Sequence, residues 1–262
     1  MTAGDTAPST SQSLGLGQGV LTDVWHFAAL SGELRAGKLQ RFEILGEPIL
    51  LGRARKGAVY AVRDICPHRS APLSAGKLTT EADGRESVEC PYHGWRFGLD
   101  GACAAIPSLV ADQAMDVSRI RVRRYPVREG QGLVFIWISS DPRFDGEPET
   151  PPPVLPGLAV GRPKRVGQMT LDTPFARAAL DLRDTAHEPD SRAYAILGGR
   201  PRVEVAFGAP GLRWTQVTLG KRQVLSLTGL TPLSEHQTRK TEVVWSDHPA
   251  FWLLKSLIAP SG

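Results

Sequence analysis

At 262 residues, with 41% apolar and 22% charged side chains, the chain has an ordinary globular composition and room for one large or two modest domains. The formal net charge of +4 is spread in short runs such as Arg121 to Arg124, so no nucleic-acid-binding stripe is expected and at most an acidic protein partner is favoured. Three cysteines exclude a disulfide framework, and no run reaches the roughly 18 apolar residues that a membrane-spanning helix needs.

Residues 1–20 are rich in Ser, Thr and Gly, without a basic start or an apolar core. They read as a disordered tail and not as a signal peptide, and a cytoplasmic protein is expected. From Val24 the chain turns to short β-type runs, Gln40 to Leu45, Pro48 to Arg53 and Ala58 to Arg63, divided by Gly46 and by Lys56-Gly57. Runs of this length between turn residues predict an antiparallel all-β unit. His26 lies outside any ligand pair and reads as a packed histidine in the first strand.

Next come Cys66-Pro67-His68-Arg69 and, after a polar connector at Thr79 to Ser87, Cys90-Pro91-Tyr92-His93-Gly94-Trp95-Arg96-Phe97. Two thiolates and two imidazoles on two short loops are the donor set of a 2Fe–2S cluster in which one iron takes both sulfurs and the other both histidines. Neutral imidazole in place of anionic thiolate makes the cluster easier to reduce. It raises the potential to roughly −150 to +300 mV, from about −400 mV for an all-thiolate cluster. Zinc is the competing reading, since two Cys and two His also make a tetrahedral shell, although zinc sites more often pair Cys-x-x-Cys with His-x(3–5)-His. Prolines after both cysteines stiffen the loops, while Gly76 and Gly94 allow close backbone approach. Trp95 and Phe97 are expected beneath the second loop, screening the metal from water; Cys103 reads as a small apolar residue. Asp100-Gly101 signals a hairpin, and Gly132 to Ile138 a long apolar strand.

With Leu73 and Ser74 completing the first motif, this pair of sequences resembles the Rieske domain of terminal oxygenase components of the Rieske non-haem iron oxygenases, in the vanillate O-demethylase-like branch. The resemblance covers residues 25–140. It implies an α+β protein: an all-β Rieske domain over 21–140, a Pro-rich linker over 141–163, and a shortened catalytic-type domain of antiparallel sheet and helices over 164–262. The linker should be extended and semi-rigid.

In the second half, Asp172-Thr173-Pro174 predicts a helix start, and Pro189 a stop near Glu188. Asp181, Asp184 and His187 recur every third residue, and Asp184 and His187 project from nearly the same face. Alone, the pattern reads as a solvated acidic face with a histidine in the last turn. The resemblance implies more: His187 as a ligand of a mononuclear Fe(II), and Asp184 as a relay from a neighbouring subunit's cluster. The second histidine of that pattern is missing; Arg192 stands where it is expected, and arginine has no lone pair to give. Strands are predicted at Val203 to Phe207, Leu212 to Leu219, Gln223 to Pro232 and Thr238 to Trp245, then an apolar helix from Phe251 to Ile258 with no matching carboxylate after it. Glu188, Asp190, His236 and His248 are the substitutes to weigh.

Two functions follow. One is an oxygenase component that takes electrons from a ferredoxin or a flavin/iron–sulfur reductase and passes them through the cluster to iron. O2 and an aromatic or similar small substrate would react there by hydroxylation or O-demethylation, in a homotrimer with head-to-tail contacts. The other is an electron-transfer or degenerate Rieske protein without a working mononuclear site.

Overall fold

The computed structural model describes residues 21–109, 115–156, 162–184, 202–208, 211–219 and 222–246. Strands follow the expected turn signals: β1 (Val24–Leu30), β2 (Leu39–Ile44), β3 (Glu47–Arg53), β4 (Val59–Arg63), β5 (Lys77–Thr80), β6 (Glu86–Glu89), β7 (Arg96–Gly98), β8 (Cys103–Ala105), β9 (Arg124–Tyr125), β10 (Val127–Gly130) and β11 (Leu133–Ile138). After the Pro-rich stretch come β12 (Lys164–Leu171), helix α1 (Phe175–Asp184), β13 (Arg202–Phe207), β14 (Leu212–Leu219), β15 (Arg222–Pro232) and β16 (Thr238–Ser246). The result is an α+β protein dominated by sheet.

Among the described residues the strands form four antiparallel sheets, ordered β1-β11-β10, β2-β3-β4-β9, β5-β6-β7-β8 and β12-β16-β15-β14-β13. The polar connector between the ligand motifs is a hairpin, with Lys77 to Thr80 facing Glu89 to Glu86. His26 is packed in β1 as expected; its Nε2–H donates to the Leu21 carbonyl at 2.8 Å. Burial presses its pKa down to about 4, so the ring is neutral at physiological pH.

The strand pair β1–β11 is buried on both faces and joins the two halves. Along β11 the side chains alternate: Leu133, Phe135 and Trp137 face one core with Leu225, Leu227, Val243 and Trp245 of the five-stranded sheet. Val134, Ile136 and Ile138 face the other, with Ile44, Ile49, Leu51 and Ala61. Period-two alternation places successive residues on opposite sides. In β1 a register shift between Phe27 and Ala29 makes Ala28 an extra residue. It keeps Trp25, Phe27 and Leu30 on the side of the five-stranded sheet despite their uneven spacing. The seam is fastened by Thr231, whose hydroxyl donates to the Phe27 carbonyl at 2.7 Å. Each large side chain fully buried there contributes about 1.5–3 kcal/mol.

Helix α1 starts directly after Pro174, with the Ala178 amide reaching the Pro174 carbonyl at 3.1 Å. Its buried face, Phe175, Ala178 and Leu182, packs on Leu230 of β15 and on Leu21. The Pro-rich stretch lies against the first half. Arg121 pairs with Asp145 at 2.9 Å, Arg124 with Glu147 at 3.1 Å, and Arg128 also pairs with Glu147. Gln131 clamps the Leu155 backbone from both sides, at 2.8 and 2.7 Å.

Candidate metal centre

Both ligand loops cap one core. Cys66 and Cys90 are buried in it with Leu50, Tyr60 and Val62 from one sheet and Leu78, Val88 and Phe97 from another. The second loop joins the paired strands β6 and β7 and is closed by the Cys90 amide on the Trp95 carbonyl at 2.8 Å. Gly94 turns the chain there at a φ of +71°, a conformation that L side chains resist. The first loop is closed by the Cys66 amide on the Ala71 carbonyl at 2.9 Å. Gly76 follows it, and a Cβ at that position would stand 1.9 Å from the Glu89 carbonyl oxygen, so only glycine lets the two loop bases meet.

The two thiols lie close enough to interact. Burial, with help from Cys90, pushes the Cys66 thiol up to about 11, while the amides of His68 and Arg69 aim at its sulfur and pull the other way. A metal cation in place of the proton would satisfy both sulfurs. Above them, at the surface, the His68 and His93 rings stand 4.7 Å apart. His68 stacks on Trp95 at 4.6 Å with the planes within 5°, and Tyr92 lies against His93 at 3.9 Å. The His68 pKa is lowered, first by desolvation and then by His93 and Arg69, which favours the neutral imidazole that coordinates metal.

This layering fits a bridged pair of irons: sulfur donors inside, nitrogen donors outside, backbone N–H groups on a sulfur, and aromatic cover on one flank. Among the described residues no three Cys, His, Asp or Glu side chains gather about one ion position. Two protein ligands per iron require pairs and not a triplet.

Residues 24–126 match the Rieske [2Fe-2S] domain. A 2Fe–2S cluster is the cofactor of such a domain, and the expected class of chemistry stands for this part of the chain. Among similar curated proteins, the 4beta-methylsterol monooxygenase of Methylococcus capsulatus is 35% identical over 145 residues, which are 55% of this chain and 37% of that protein. The 3-chlorobenzoate-3,4-dioxygenase oxygenase subunit of Comamonas testosteroni is 36% identical over 47% of this chain and 27% of its own length. The chain thus spans between a quarter and two fifths of these relatives. Crystal structures of dicamba monooxygenase share the fold more widely: one, with non-haem iron and dicamba, has a TM-score of 0.68 at 25% identity over 87% of this chain and 77% of that one.

Of the other candidates, Asp184 is exposed at the end of the described part of α1. His187, Glu188, Asp190, Arg192 and His248 lie outside the described residues, as does the apolar segment from Phe251 to Ile258. His236 sits in the short connection between β15 and β16, its amide bonded to the Ser234 hydroxyl at 3.3 Å. A groove of about 300 Å³ opens between α1 and β13–β14, lined by Phe175, Ala179, Leu180, Phe207 and Leu212, with Arg183 over the Phe207 ring at 5.8 Å. Cys103 is half-buried beside the Rieske core, with burial raising its thiol pKa. No helix among the described residues is long and apolar enough to cross a membrane. Asp64 escaped the sequence reading. Its side chain is buried and accepts hydrogen bonds from the Ser74 amide and hydroxyl, both at 2.6 Å. The available signal was an acid two residues before the first ligand cysteine.

Proposed function

We propose that the chain belongs to a terminal oxygenase component in which Cys66 and Cys90 hold one cluster iron and His68 and His93 the other. The observation that supports this best is the pairing of buried thiols with exposed imidazoles on one lobe tip. When bound, the cluster takes up and releases one electron. The protein's own part is to shelter the sulfurs and to present the imidazole edge, flanked by Tyr92 and Arg69, to a redox partner. The neutral imidazoles keep the cluster easier to reduce than an all-thiolate one.

Electrons arrive from a ferredoxin or a flavin/iron–sulfur reductase in a reducing, cytoplasmic setting. His187 would be a ligand of a mononuclear iron that receives them and Asp184 the relay towards it, in a head-to-tail homotrimer. The reaction is O2-dependent hydroxylation or O-demethylation of an aromatic or similar small substrate, as in a vanillate O-demethylase-like branch. Arg192, in place of the expected second histidine, favours a second reading: electron transfer without a working mononuclear site.

Iron and sulfide analysis with O2 uptake separates the two. A third iron per chain beyond the cluster pair, with substrate-dependent O2 consumption in the presence of a reductase, supports the oxygenase. Two irons, two sulfides and no uptake support the carrier. A colourless zinc protein overturns both.

A further inference from the structure

The two ligand loops are held by different means. The second joins β6 to β7, which pair directly, so strand hydrogen bonds set the separation of its ends. The first joins β4 to β5, which belong to different sheets, and no strand pairing spans its base. Its innermost closure is the Cys66–Ala71 backbone bond, with the Ser70 amide on the Cys66 carbonyl at 2.8 Å. The next closure outward is made by a side chain. Asp64 Oδ1 accepts from the Ser74 amide and Oδ2 from the Ser74 hydroxyl, each at 2.6 Å, across ten residues of chain. Asp64 is itself tied to β3, its amide donating to the Pro48 carbonyl at 2.8 Å. Its side chain is wholly buried, and the cation paired with it among the described residues, Arg41 at 3.4 Å, is more than half exposed.

We propose that Asp64 is a positioning residue for the cluster: through Ser74 it closes the first ligand loop, fixing Cys66 and His68, and its buried charge holds the reduction potential down. This rests on the assignment of those two residues as cluster ligands. A buried carboxylate within two residues of a ligand opposes the arrival of an electron, and screening by the exposed Arg41 is only partial. The two-point contact with Ser74 is what a shorter side chain cannot reproduce, whereas the isosteric amide of Asn can keep it, its oxygen accepting from the Ser74 amide and its nitrogen donating to the hydroxyl.

The test uses the full cluster-loaded chain with Asp64→Asn and Ser74→Ala. Ser74→Ala removes one donor and leaves the charge; it is expected to speed loss of iron to a chelator by about fivefold, the equivalent of one net hydrogen bond, with the potential little changed. Asp64→Asn is isosteric and neutral; it is expected to raise the midpoint potential while the visible spectrum and iron content stay as in the wild type. A general loss of stability would not move the potential of clusters that remain intact. Wild-type chelation rate in Ser74→Ala together with a wild-type potential in Asp64→Asn overturns the proposal and leaves the ligand assignment standing. A wild-type chain that takes up no cluster overturns both.

Discussion

The half that carries the metal loops and the half built on the five-stranded sheet are both antiparallel β, yet they hold their candidate donors in opposite ways. In the first half, all four donors sit on loops whose bases are tied within about ten residues, over a core of small sheets. In the second, Asp184 stands at the end of α1, with its partners expected further along the chain. A centre assembled from two compact loops is complete as soon as its lobe folds. A centre that draws on a helix and on distant segments depends on the packing of the whole sheet.

The largest effect should come from the metal loops. Cys66→Ser or Cys90→Ser removes one of the two buried thiolate donors, so the visible chromophore and bound iron should be lost. Retained β-sheet circular dichroism would show that the sheets stand without the cluster. Next is the seam between the halves. Phe27→Ala, facing Leu227 and Trp245, should cost about 3–5 kcal/mol in denaturant unfolding. If the halves are one cooperative unit, tryptophan fluorescence and cluster absorbance will shift together; separate transitions would break the comparison in favour of independent lobes.

A smaller effect is expected from acid. His26 is held near 4 when folded, against an ordinary 6.5, so between those values the unfolded chain binds more protons than the folded one. The stability it contributes is complete above about pH 6.5 and falls by about 3 kcal/mol as pH drops through 4. Denaturation midpoints measured from pH 7 to 4 should slope accordingly, and His26→Gln should flatten the slope. The smallest effect belongs to the Pro-rich stretch: Glu147→Gln loses two exposed ion pairs and should cost about 0.2–1 kcal/mol, vanishing in high salt.

The convergence of Cys66, His68, Cys90 and His93 was legible because coordination demands particular side chains at short spacing, a pattern the sequence itself displays. Strands β13 to β16 were legible from apolar runs broken at Gly208, Gly220 and Leu233-Ser234. Strand β12 was not. Lys-Arg-Val-Gly-Gln-Met-Thr-Leu from Lys164 to Leu171 has little apolar alternation, because it is an edge strand with no buried residue. The sequence of β11 announced burial, but a continuous apolar run cannot say what covers each face. That one face meets Leu227 and Val243 depends on contacts about a hundred residues away. The Asp64–Ser74 contact was hidden for a related reason, since an acid and a serine ten apart carry no periodic signature. Likewise the pairing of Glu147 with Arg124 and Arg128 ties down a stretch that composition alone describes as a spacer.

The doubly covered strand pair bears on how this molecule can be dissected. A fragment ending after Ser140 would retain all four proposed cluster ligands, yet Trp25, Phe27, Phe135 and Trp137 would become a bare aromatic wall. Such a fragment should self-associate or precipitate unless polar side chains are grafted onto that wall, so making a minimal electron carrier from this chain is a problem of resurfacing β1 and β11 and not of trimming.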